Sequence, residues 1–351
     1  MKPKLLIIEL WGLGDLVIAT PLLQAAAETH EVTLLAKPGA LELQPRFWPG
    51  ITVIPFVAPW TVFRGKYRVW DWPLRQMQEL RNQLADAQFD AGASARWDPR
   101  DHLLLKLVEA RQRLGFPRAG SERLLTHPLP RPEATFHRYE YWRRLGRELG
   151  IALPEREALP VACRTDRRRV TLHSGARLDA RIWPLENYRG LVARLRANGW
   201  QVKVLCDPNQ LGWWSQAGEN AAAPHSVADL CAHLDHGDLF IGNCSGPGHL
   251  AAILGLPTFT LFGPSLPEWF LPLHPLADYV EGPACPFRPC SDYCHFDRPR
   301  CLTELTVATV WNHLEPFLHR VSAQARPAAG SALKLDSDQL PAPAAHPVLT
   351  A

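Results

Sequence analysis

The apolar run KLLIIEL at residues 4–10 is followed by the small-residue turn Trp11-Gly12-Leu13-Gly14-Asp15 and then by Thr20-Pro21-Leu22-Leu23. That order predicts a strand, a glycine turn and a helix, with Thr20 as N-cap and Pro21 at the first helical position. Further apolar runs predict strands over Val32–Ala36, Ile51–Phe56 and Phe89–Ser94, and residues Pro73–Gln88 have helical composition. The alternation is that of an α/β lobe with a parallel sheet. Prolines and charges mixed without periodicity at 149–169 read as a linker. A second alternation begins beyond it: a strand at Val170–His173, a helix at Leu185–Asn198, a strand at Gln201–Cys206, a helix at Val227–Leu234, a strand at Leu239–Ile241 and a last helix over Leu305–Val321. The expected division is a lobe at 1–155, a lobe at 156–321 and a disordered Ala/Pro-rich tail at 322–351.

Composition agrees with two lobes and excludes some classes of function. A chain of 351 residues exceeds one ordinary core, and 46% hydrophobic with 21% charged residues is globular. A net charge of +3 is too small to imply a nucleic-acid partner, and no such motif is present. The first apolar run is interrupted by Glu9 and lacks a cleavage site, so it is not read as a signal peptide. No apolar span is long enough for a membrane helix. The expected location is cytoplasmic, which is compatible with peripheral contact at the inner face of the inner membrane. Eight cysteines in such a chain do not form a disulfide framework, yet Cys285, Cys290, Cys294 and Cys301 crowd together. Four thiolates suit zinc or iron, but C-x4-C-x3-C-x6-C is not a standard zinc-finger spacing. A structural metal and buried reduced thiols both stay open.

Two turns have the composition of anion cradles. In Cys244-Ser245-Gly246-Pro247-Gly248-His249, the serine can cap a helix, the glycine admits a ligand close to the backbone, and proline lacks an N–H that the first turn would orphan. The free N–H groups of that turn suit a phosphate, with His249 adding a hydrogen bond. In His173-Ser174-Gly175-Ala176-Arg177 a similar turn is trailed by Arg177 and Arg181, whose planar forks match phosphate oxygens. Two such turns in one lobe point to a nucleotide diphosphate. The run from Trp60 to Trp72 interleaves aromatics with Arg64, Lys66 and Arg68, a mixture that suits an anionic lipid headgroup or a phosphorylated sugar acceptor.

LIIELWGLGDLVIATPLL, HSGARLDARIWPLENY and IGNCSGPGHLAAILGLPTFTLFGP together resemble, in order and spacing, the bacterial lipopolysaccharide heptosyltransferase family, glycosyltransferase family 9. The resemblance covers roughly residues 4–320 and implies a GT-B fold, two Rossmann-like lobes with parallel sheets facing a central cleft. It further implies an inverting glycosyltransferase that moves a heptose, or a similar sugar, from an ADP-sugar donor such as ADP-heptose to a lipid-linked or other saccharide acceptor of lipopolysaccharide core. Asp15 matches the family's catalytic base. Ser174, Gly175, Ser245, Gly246 and His249 match donor-phosphate positions, and Arg181 stands where the family usually has lysine. Cys244 departs from the family pattern Asp-Ser-Gly, whose aspartate is associated with the donor sugar's hydroxyls. The family's acidic residue for the nucleotide ribose falls in the region of Asp207 and Gln210. No Asp-x-Asp pair adjoins the turns, so no cofactor is required for catalysis on this reading. A protein hydroxyl as acceptor, and a catalytically silent nucleotide-sugar-binding protein, are the alternatives.

Overall fold

The computed structural model describes residues 1–61, 72–133, 135–159, 168–290 and 293–323. The first lobe holds a parallel sheet of β1 (Lys4–Glu9), β2 (Glu31–Ala36), β3 (Thr52–Pro55), β4 (Ala91–Ser94), β5 (Gln112–Gly115) and β6 (His127–Pro128), ordered β3-β2-β1-β4-β5-β6. Its helices are α1 (Leu13–Ile18), α2 (Thr20–Thr29), α3 (Gly39–Phe47), α4 (Leu74–Ala85), α5 (Pro99–Leu107) and α6 (Arg138–Glu148). The second lobe holds a parallel sheet of β7 (Arg169–His173), β8 (Gln201–Leu205), β9 (Leu239–Asn243), β10 (Thr258–Phe262) and β11 (Ala277–Glu281), ordered β11-β10-β9-β7-β8. Around it lie α7 (Leu185–Ala197), α8 (Leu211–Gln216), α9 (Val227–Asp235), α10 (Gly246–Ile253), α11 (Pro267–Phe270), α12 (Arg300–Thr303) and α13 (Val307–Ala323). Strands β9 and β10 are buried along their whole length, as expected for a sheet covered on both faces.

Each sheet reverses its strand order once, between β1 and β4 in the first and between β7 and β9 in the second. Ligands of open α/β sheets bind beyond the carboxyl ends of strands at such reversals. Both lobes therefore aim a ready crevice from the residues that follow these four strands.

The lobes share apolar packing. Leu16 and Val17 of α1 belong to the same buried cluster as Leu205, Leu230, Leu250 and Leu254 of the second lobe. Polar ties add to it. Arg46 makes a two-pronged ion pair with Asp235 at 2.7 and 2.8 Å, and the Ala228 N–H donates to Glu42 at 2.8 Å. His137 Nε2 donates across the lobes to the Leu271 carbonyl at 2.9 Å, while its Nδ1 accepts from the Tyr139 N–H.

Two local readings change. Thr20 does begin a helix, but its N-cap is Ala19, and the separate helix α1 already occupies the residues before it. Asp15 thus stands in a helical first turn, not in a loop. The last helix runs to Ala323, beyond the expected start of the tail, and the rest of that tail lies outside the described residues.

Candidate active site

Gly12 starts α1, and its N–H donates to Asp15 Oδ2 at 3.1 Å, so the carboxylate caps its own helix. The other oxygen pairs with Arg96, which follows β4 and lies 5.0 Å from the Trp11 ring. Asp15 is consequently oriented from both sides. Glu9, at the end of β1 and 2% exposed, accepts from the Trp11 N–H at 3.1 Å and lines the same pocket as Asp15, Arg96 and Arg138.

Burial pushes the Glu9 carboxyl up to about 8; Arg96 opposes that shift, and the nearby acids Asp15 and Asp101 add to it. Burial also weighs against the charge of Arg96, but Asp15, Glu9 and Asp101 more than offset it and raise its pKa. Lys37, after β2, is lowered to about 8 by burial and then by the charge of Arg177 from the second lobe. Composition gave no sign of Glu9, Arg96 or Lys37. Their role depends on which strand ends the sheet brings together.

The raised Glu9 pKa makes a prediction about stability. Below the ordinary carboxyl value of 4.5 both folded and unfolded chains carry the proton, whereas between there and about 8 only the folded chain does. Stability contributed by this group therefore falls as pH rises through that window and levels off above it, at up to about 1.4 kcal/mol per pH unit. Glu9→Gln keeps an acceptor for Trp11 and removes the titration. In thermal melts at pH 5 and pH 9 the variant is expected to gain on the parent chain at the higher pH, and an equal difference at both would contradict the buried-proton reading.

In the second lobe, β9 ends at Asn243 and leads into α10 through Cys244 and Ser245. Asn243 ties the two expected cradles together: its Nδ2 donates to the carbonyls of Ser174 at 2.9 Å and Gly175 at 3.2 Å, and its Oδ1 accepts from the Trp183 N–H at 3.0 Å. Ser245 occupies the N-cap position of α10, but its hydroxyl donates to the Asn243 carbonyl at 3.2 Å and caps no helical N–H. The Gly248 N–H turns back to the Ser245 carbonyl at 3.2 Å and Pro247 has none, so the N–H that this turn leaves open is that of Gly246. Gly175 is needed for space, because a Cβ there would stand 2.3 Å from the Asp207 carboxyl carbon.

Ser174 is fully buried, with Oγ donating to Gln210 Oε1 at 2.8 Å and accepting from Trp214 Nε1 at 3.0 Å. Its hydroxyl and the Gln210 amide oxygen are taken up inside the lobe. His249, 5% exposed, has its pKa lowered by burial to about 4 against the pull of Asp15, and its Nδ1 is buried without a partner. At neutral pH it is a neutral hydrogen-bonding group and not a cation. Cys244, 8% exposed, has its thiol pushed up to about 11 by burial, with Arg181, Ser265, Asp15 and Arg288 as polar neighbours. Arg181 ends a short helical turn at Asp179–Arg181.

The two half-sites meet at α1 and α10. A Cβ on Gly14 would stand 2.7 Å from His249, and a Cβ on Gly246 2.9 Å from the Cβ of Leu13. The Asp15 turn thus faces the start of α10 across a contact that admits no added methyl.

Arg64, Lys66 and Arg68 lie outside the described residues. Cys285, Cys290, Cys294 and Cys301 line one pocket with Arg288, Arg300 and Ala180. Thiols suit zinc or iron as donors, but among the described residues no three Cys, His, Asp or Glu side chains are grouped to hold a metal ion. No helix among the described residues is long and apolar enough to cross a membrane.

Residues 133–294 match the model of glycosyltransferase family 9 (heptosyltransferase). Lipopolysaccharide heptosyltransferase 1 of Pseudomonas aeruginosa is 26% identical over 353 residues, covering 90% of this chain and 98% of that protein. The E. coli heptosyltransferase WaaC with ADP superposes with a TM-score of 0.69 at 18% identity, over 90% of this chain and 99% of the other. The iron-containing dodecameric glycosyltransferase TibC of enterotoxigenic E. coli superposes with a TM-score of 0.54 at 17% identity, over 91% and 77%. With two parallel-sheet lobes of GT-B architecture, a match to the glycosyltransferase family 9 model over residues 133–294 and similarity to lipopolysaccharide heptosyltransferase 1 along 90% of its length, the chain is a glycosyltransferase.

Proposed function

We propose that the protein transfers a heptose, or a similar sugar, from an ADP-sugar to a saccharide acceptor of lipopolysaccharide core, with inversion at the anomeric carbon. One observation carries the reading: Asp15, a carboxylate held in place by Arg96 and Gly12, faces the uncapped N-terminus of α10 across the lobe contact. The acceptor hydroxyl gives its proton to Asp15 as its oxygen attacks the anomeric carbon, and the bond to the diphosphate breaks on the opposite side. The Gly246 N–H at the start of α10, with Arg181 and neutral His249, receives the growing charge on the leaving ADP. The similarity to heptosyltransferase 1 of Pseudomonas aeruginosa supports the sugar and the acceptor class. Peripheral contact with the inner face of the inner membrane follows from a lipid-linked acceptor.

The donor sugar is read at position 244. A neutral thiol is a weak hydrogen-bond partner, whereas a carboxylate there accepts strong bonds from sugar hydroxyls. Arg181 and Arg288 beside Cys244 would accommodate the charge of Cys244→Asp. Transfer from a panel of ADP-sugars by the parent chain and this variant, read by mass spectrometry, is expected to show ordinary ADP affinity in both and a changed preference among sugars. Identical donor profiles would mean that position 244 does not read the sugar.

A further inference from the structure

We propose that Arg138 seats an anionic group of the acceptor, a carboxylate or a phosphate, beside Asp15; this rests on the transferase reading above and adds an acceptor chemistry to it. Arg138 is the first residue of α6, and it lines the pocket that also holds Glu9, Asp15 and Arg96. Its guanidinium carbon lies 4.4 Å from the Trp97 ring and 5.3 Å from Tyr141 in its own lobe, and 4.9 Å from Trp269 and 5.5 Å from Phe270 in the other. Ring faces from both lobes therefore enclose the cation.

Among the described residues no carboxylate pairs with it, and its Nε is buried without a hydrogen-bond partner. The neighbouring cation differs, since Arg96 is committed to Asp15. Burial, reinforced by the charge of Arg96, lowers the Arg138 pKa to about 10, which still leaves it charged at neutral pH. Tyr141 also offers Arg138 a side-chain hydrogen bond, but aromatic faces stabilise a guanidinium from above and below and leave the in-plane Nε–H unsatisfied. A carboxylate or phosphate does so with paired hydrogen bonds. The pocket is lined wholly by first-lobe residues and by none of those that start α10, so the anion is assigned to the acceptor and not to the donor's diphosphate. An acceptor held there by its charge presents a hydroxyl to Asp15.

The test uses the full chain saturated with ADP, so that the α10 cradle is filled, and titrates inorganic phosphate in one arm and glucuronate in the other. Tryptophan fluorescence is the readout because Trp97 and Trp269 flank the guanidinium. The parent chain is expected to give a saturable change with at least one probe, and the responding probe tells phosphate from carboxylate. Arg138→Gln should bind that probe roughly 10- to 100-fold more weakly, the loss of one charged hydrogen-bonding partner. Arg138→Lys, which keeps a cation, should retain part of the response and guards against a general packing defect. No saturable response in the parent chain, or equal affinity in Arg138→Gln, would overturn the assignment. Calorimetry with ADP is expected to give the same affinity in all three chains. Failure of the parent chain to bind ADP would count against the transferase reading, while the difference between parent and Arg138→Gln would still decide this one.

Discussion

Asp15→Asn is expected to lower turnover by roughly 10²- to 10⁴-fold, the usual loss when a general base is removed, while ADP affinity stays close to that of the parent chain. The amide keeps the shape and still offers an oxygen to the Gly12 N–H. Arg96 loses its paired carboxylate, yet Glu9 and Asp101 remain as acids close enough to act on its charge. The fold should therefore survive, and the defect should lie in the rate and not in donor binding. Single-turnover transfer at saturating donor and acceptor separates these effects. Unchanged turnover in the variant would place the base elsewhere.

The second large effect is expected from a methyl group. Gly246→Ala puts a Cβ 2.9 Å from Leu13 Cβ and within 3.2 Å of two further Leu13 atoms, closer than carbon atoms approach. The backbone at 246 is not left-handed, so only this contact resists the substitution. Because Leu13 and Asp15 share the first turn of α1, relief of the clash shifts the base relative to the donor cradle. Misplacement of about 1 Å can cost 10²-fold in rate, and a loss of at least that order is expected, with weaker ADP binding beside it because Gly246 also starts the donor cradle. Steady-state transfer together with calorimetry checks it. A Gly246→Ala chain with full turnover would mean that the α1–α10 contact does not set the distance between base and donor.

Much of this arrangement was legible in the sequence because its signals are local. Short apolar runs closed by glycine turns marked β1, β7 and β9, and the small residues of Ser245–Gly248 marked the start of α10. Elements with weaker local signals were missed: α3 carries Pro45 inside it, β5 is only Gln112–Gly115 with two outward polar residues, and β11 is half-exposed. The site shows the same division. Asp15 and His249 stand in recognisable turns, whereas Glu9, Arg96 and Arg138 come from segments far apart in the chain. They meet only because β1 and β4 are neighbours and because α6 returns to their carboxyl ends.

Serine chemistry misled in two places for one reason. A hydroxyl in a phosphate-like turn reads as a ligand donor, but Ser174 is bound between Gln210 and Trp214, and Ser245 donates to the backbone at Asn243. Whether a hydroxyl faces a ligand or the interior depends on tertiary neighbours that spacing does not reveal. Asn243 carries the opposite lesson. It lies beyond the strand expected at Leu239–Ile241 and carried no signal of its own, yet its amide fixes both cradle turns in one frame.

The central claim is that Asp15 drives transfer of a sugar from ADP to an acceptor hydroxyl, and acceptor-dependent release of ADP from ADP-heptose measures it most directly. The purified chain should release ADP only when a lipopolysaccharide-core acceptor is present, with the acceptor gaining one heptose for each ADP, and Asp15→Asn should abolish nearly all of that release. Release independent of acceptor, or equal in parent and variant, would contradict the account.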